Sequence, residues 1–157
     1  MNAFLAKASA SATQVHLVVY PYHAQMRLMI ERAGLGALMA EWKASMLAVS
    51  QQATNPATSV QMWDFSAISD ETLEPIPKAG DRLTQLRYYW EAGHFKKALG
   101  DRVLDRLLRG EGSWGQRLDP PTLDHWLRKD RQSVQRLLAE PSALTREVES
   151  LFARSVP

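Results

Sequence analysis

The sequence predicts an α/β fold with few parallel strands, followed by a helical C-terminal extension. Three observations carry this. Two short apolar runs, Val15 to Tyr20 and Val60 to Phe65, have the length and composition of buried strands. A helical region of about thirty residues lies between them, long enough to cross from one parallel strand to the next. Beyond residue 112 only helical periodicity is visible.

Residues 2–12 suit a short helix leading into the first strand. The run Val-His-Leu-Val-Val-Tyr from Val15 is closed by Pro21, which lacks a donor and ends the strand. The helical region from Ala24 to Ala53 breaks at Gly34-Leu35-Gly36. After the break, Leu35, Met39, Trp42, Met46 and Val49 fall on one helical face, expected to pack on the sheet. Asn55-Pro56 ends the helix. Strand, helix and strand together make a βαβ unit with a right-handed crossover.

Residues 66–84 carry Pro75, Pro77 and Gly80 and show no periodicity; loops of that length inside a domain are often functional. A helix is expected from His94 to Arg109, with Phe95, Leu99, Val103 and Leu107 at steps of four, ending at Gly110. Asp119-Pro120-Pro121 then opens a helix striped by Leu123, Leu127, Val134 and Leu138. Pro141-Ser142 opens a last one with Leu144, Val148, Leu151 and Phe152 on one face. The expected division is residues 1–112, part of an α/β domain, and residues 113–157, the helical extension. Two strands are too few for an independent doubly wound sheet. An uncovered edge makes a partner or self-association the physical expectation.

Composition narrows the function. Of 157 residues, 45% are apolar and 23% charged, ordinary values for a globular protein. A net charge of +2, with no basic cluster, argues against nucleic acid. There is no cysteine, so disulfides and thiolate metal sites are excluded, which suits either cytoplasm or periplasm. No apolar run reaches the roughly 20 residues of a membrane span, and residues 1–14 lack the apolar block of a secretory signal. No H-E-x-x-H, phosphate loop or dinucleotide fingerprint occurs, so neither metal nor cofactor is expected.

The segment with the most chemistry is Tyr88-Tyr89-Trp90-Glu91-Ala92-Gly93-His94-Phe95. A carboxylate three residues before a histidine can hold the imidazole in one tautomer and stabilise its charged form, as a serine hydrolase base requires. The plainer reading of Glu91 and His94 is a helix start. Tyr22 and His23 after the first strand, and Asp64 and Ser66 closing the second, are candidates to line the same site, because ligands gather beyond the carboxyl ends of parallel strands. Each has a plain alternative: His23 as a helix cap, Asp64 as a turn former, Ser66 as a polar residue without the flanking glycine of a nucleophile turn. His16 and His125 read as structural. Neither G-x-S-x-G nor G-D-S occurs.

Trp90-Glu91-Ala92-Gly93-His94-Phe95 with Gly100-Asp101-Arg102-Val103-Leu104 resembles the last block of SGNH (GDSL-type) hydrolases, and within them the branch of alginate and related cell-envelope O-acetyltransferases. There the block reads D-x-x-H, an aromatic, then G-D and an aliphatic helix. Val18 to Ala24 and Met62 to Ser66 are similar to segments upstream of that block; the likeness spans roughly residues 15–109. It implies a partial flavodoxin-like, three-layer fold and an ester hydrolase or O-acyltransferase acting on a carbohydrate or cell-envelope ester, in the periplasm or envelope. His94 would be the base, and Glu91 would stand where the family has Asp. The family's serine, oxyanion glycine and asparagine blocks have no counterpart here. The chain is therefore expected to be the C-terminal part of such an enzyme, completed by an N-terminal segment, or a non-catalytic binding or assembly module.

Overall fold

The protein was analysed as a computed structural model, which describes residues 2–10, 13–56, 58–77, 80, 81 and 83–155. The fold is mixed α/β, with a small mixed sheet among helices. Strands β1 (Val15–Val19) and β2 (Val60–Asp64) pair in parallel, from Val15 opposite Val60 to Val19 opposite Asp64. Helix α1 (Asn2–Ala10) leads into β1; α2 (Ala24–Arg32) and α3 (Gly36–Ala53) connect β1 to β2, giving the expected βαβ unit. Gly34, with φ 75°, supplies the left-handed residue that separates α2 from α3.

Two elements differ from the sequence expectation. Residues 89–95 form a hairpin rather than the mouth of a helix: β3 (Tyr89–Glu91) pairs antiparallel with β4 (His94–Phe95). Tyr89 and Trp90 favour extended backbone, and Ala92-Gly93 makes the turn. Helix α4 (Lys97–Leu104) begins only after it and runs into a single π-helical turn, Asp105–Arg109. It still buries Leu99 and Val103, and Gly110 ends it with φ 71°. The region after residue 112 is not purely helical. Strand β5 (Gln116–Leu118) pairs antiparallel with β2, Met62 opposite Leu118, so the sheet order is β1-β2-β5. Three residues are too few to show a period-two pattern.

Helices α5 (Leu123–Ala139) and α6 (Ala143–Ser155) share a core with α2: Leu28, Val134 and Val148 are all buried together. Asp119 Oδ1 accepts from Thr122 N at 3.2 Å and Thr122 Oγ1 at 2.7 Å, fixing the entry to α5. At α6, Ser142 and Thr145 exchange backbone-to-hydroxyl bonds of 2.8 and 3.1 Å. On the sheet, Val19, Leu47, Met62 and Leu118 form one cluster, and Leu5, Ala8, Val15 and Val60 another that brings α1 and α3 together.

The face expected to pack on the sheet does so in part: Met39, Met46 and Val49 lie against the sheet clusters. Leu35 and Trp42 are exposed at 49% and 44%, whereas Lys43, Leu47 and Ser50 are buried. Lys43 takes a place on the buried side that an apolar side chain normally fills. Among the described residues no helix is long and apolar enough to cross a membrane.

Candidate functional site

The hairpin is fixed to the carboxyl end of β1 by the residues that follow the strand. Tyr89 Oη donates to Pro21 O at 3.0 Å, and His23 N donates to Ala92 O at 3.2 Å. Tyr20 Oη accepts from Phe95 N at 3.4 Å, and the two rings lie 4.7 Å apart. Tyr22 packs beside Tyr20 at a tilt, with ring centroids 5.0 Å apart. Strand termination at Pro21 therefore places Tyr20, Tyr22 and His23 as the base on which β3 and β4 sit.

Glu91 and His94 face each other across the hairpin as a cross-strand pair. The Glu91 carboxylate meets His94 Nδ1 through Oε1, and its Oε2 accepts from Gly93 N at 2.8 Å. The bond from the Gly93 amide, then the contact with His94, hold the Glu91 carboxyl below its ordinary pKa, against a small opposing effect of burial. Both side chains are open to solvent, 57% for Glu91 and 79% for His94. Among the described residues His94 Nε2 makes no hydrogen bond. The i, i+3 spacing thus brings acid and imidazole together through a two-residue turn, not through a helical turn. Chemically, Glu91 selects the Nδ1–H tautomer and leaves Nε2 with a lone pair facing outward.

His23 is the N-cap of α2. Its Nδ1 accepts from Gln25 N at 3.1 Å, so its Nε2 carries the proton and donates to Glu74 O at 2.7 Å. Burial lowers its pKa below 6.5, and the bond to the Glu74 carbonyl only partly offsets that. A neutral, doubly bonded ring is a structural histidine. Its wall faces a cavity of about 510 Å³ that also meets Trp90, Glu91 and Lys96. Lys96 lies 4.5 Å above the Trp90 ring. Burial also raises the Tyr89 hydroxyl well above its ordinary pKa, leaving it a neutral donor to Pro21 O.

Asp64 and Ser66 belong to a different place. Ser66 is fully buried; its hydroxyl donates to Asp64 Oδ1 at 2.7 Å and accepts from Arg27 Nη1 at 3.0 Å. Asp64 Oδ2 receives Lys43 Nζ at 2.6 Å and Trp126 Nε1 at 3.0 Å. Lys43 Nζ also lies 2.9 Å from Asp130 Oδ2, and Arg27 Nη2 lies 2.8 Å from the same oxygen. Burial alone raises the Asp64 pKa, but the charge of Lys43 and the bonds from Lys43, Trp126 and Ser66 outweigh it and hold the carboxyl below its ordinary value. Two cations and two anions balance in the interior, which is the condition for burying them at all. None of the hydrogen bonds of Asp64 or Ser66 reaches Glu91 or His94.

Sequence reasoning missed Arg27, Lys43 and Asp130. Asp130 carried a signal: it sits three residues after Leu127 and four before Val134, within the apolar stripe of α5. A charge in such a stripe calls for a buried partner. Compared with family models, with curated proteins and with solved structures, the chain matches none.

Proposed function

We propose that this chain supplies the acid–base pair of an SGNH-like ester hydrolase or O-acyltransferase, with the nucleophilic serine contributed by a segment N-terminal to these 157 residues. The observation that carries the reading is the Glu91–His94 pair, held through Nδ1 with Nε2 open, beyond the carboxyl end of β1. In that reaction Nε2 takes the serine proton as the serine oxygen bonds to the ester carbonyl carbon. The imidazolium, stabilised by Glu91, then returns the proton to the departing alcohol as the ester bond breaks. Water, or an acceptor hydroxyl, repeats the sequence on the acyl-serine and frees it.

Ser66 does not serve as that serine: it is buried, and its proton is engaged by Asp64. A carbohydrate or cell-envelope ester fits the open, polar surroundings of Glu91, where Trp90 is 73% exposed beside Lys96. A second reading, a non-catalytic assembly module, is favoured by one observation. The uncharged surface formed by Val18, Leu35, Leu38 and Trp42 is exposed beside the sheet edge.

The test is hydrolysis of p-nitrophenyl acetate by the product of the reading frame extended upstream of codon 1. The reading expects an in-frame G-D-S segment there and a fall of about a thousandfold on His94→Ala. An upstream frame without a serine block, or hydrolysis indifferent to His94→Ala, would contradict it.

A further inference from the structure

We infer that the outer edge of β1 receives one more strand, parallel to β1, supplied by polypeptide ahead of residue 1 and joined to β1 through α1. The inference rests on the preceding reading only in taking the chain as the C-terminal part of a longer polypeptide.

Among the described residues the sheet order β1-β2-β5 leaves β1 at an edge. Val15 N donates to Ser59 O at 2.9 Å and Val19 O accepts from Phe65 N at 3.2 Å, so these residues turn their backbone groups toward β2. The alternate residues His16 and Val18 then turn theirs outward, along a strand, Val-His-Leu-Val-Val, with no Lys, Glu or Pro to guard it. The opposite edge is differently made: β5 runs antiparallel to β2, the usual way an otherwise parallel sheet is closed.

Helix α1 gives the direction and the source. Leu5 and Ala8 pack with Val15, Val60, Val49 and Ala53, so α1 lies on the same sheet face as α3. Helix α3 is part of the crossover from β1 to β2. A helix entering a parallel strand on that face is the second half of another right-handed crossover. Successive right-handed crossovers with helices on one face advance the sheet in one direction, so the strand before α1 belongs on the side of β1 away from β2. That is the free edge.

The groove along this edge fits an apolar strand. It holds about 560 Å³ and is lined by Val18, Tyr20, Tyr22, Leu38 and Trp42 among others, with no charged residue. Val18, Leu38 and Trp42 are exposed at 40%, 60% and 44%. The groove includes Tyr20, whose ring lies 4.7 Å from that of Phe95, and Tyr22 beside Tyr20. A parallel strand laid in it therefore delivers its carboxyl end, and the loop that follows, beside the Glu91–His94 hairpin.

Residue-resolved amide hydrogen exchange of His16 and Val18 tests this, in the 157-residue chain and in the upstream-extended product. Fast exchange in the former and at least about a hundredfold slower exchange in the latter is expected. An absent upstream frame, or unchanged exchange, overturns the inference. Protection already present in the 157-residue chain and rising with protein concentration also overturns it, because the occupant is then a second copy. Protected amides in an extended product without His94-dependent ester hydrolysis would sink the hydrolase reading and leave the strand standing.

Discussion

Lys43 Nζ lies 2.9 Å from Asp130 Oδ2, an ion pair that ties the crossover helix of the βαβ unit to α5 across the interior. Asp130 also holds Arg27, and Lys43 also holds Asp64, so one carboxylate balances charge on two helices at once. Asp130→Ala leaves Arg27 and Lys43 short of a partner in a dry environment. The expected loss of stability is about 3–5 kcal/mol, read from urea unfolding. A loss under 1 kcal/mol would mean that water reaches these groups.

Acid sensitivity should begin at His23. Burial lowers its pKa below 6.5 in the folded chain, so between that lowered value and 6.5 the unfolded chain binds more protons. Stability is then full above pH 6.5 and declines as pH falls through this window. Protonation also destroys the acceptor that caps Gln25 N. His23→Asn keeps a capping side chain and removes the titration. Its urea midpoint should be flatter than that of the parent between pH 7 and pH 5, and an equal slope would exclude His23 as the source.

Gly115 should tolerate no side chain. Its φ is 89°, and a Cβ there would run into the Phe65 ring. Gly115→Ala combines backbone strain with overpacking at the start of β5 and should cost about 2–4 kcal/mol in unfolding measurements. Gly112→Ala, also at positive φ but in open space, carries strain alone and should cost less.

The tautomer of His94 is set by Glu91. Long-range proton–nitrogen correlation spectra should show Nδ1 protonated and Nε2 bare in the neutral ring, and Glu91→Ala should abolish that preference. The same preference in both proteins would show that Glu91 does not orient the ring.

Much of the fold was legible in the sequence because its elements announce themselves by period and by punctuation. Val15–Pro21, the break at Gly34 and the Ser142 helix start lie where residue chemistry sets them, whereas α5 begins only at Leu123, so that Asp119, Pro120 and Pro121 form a turn ahead of the helix rather than its cap and first turn. Strand β5 was not legible, since its pairing with β2 is a tertiary contact made by three residues. The acid and imidazole were legible as neighbours but not as a hairpin: the i, i+3 spacing suits a helical turn as well as a two-residue loop, and only the aromatic run before Glu91 argues for the latter. The position of Asp64 and Ser66 at a strand end suits a site-lining role as well as a structural one; Arg27 and Lys43 draw them inward.

The central claim, that His94 activates a serine from outside this chain, is tested most directly by labelling the upstream-extended product with a fluorophosphonate and mapping the modified residue. The account predicts one labelled serine ahead of residue 1, with labelling about a hundredfold or more slower after His94→Ala. Labelling within these 157 residues, or at a rate indifferent to His94, would contradict it.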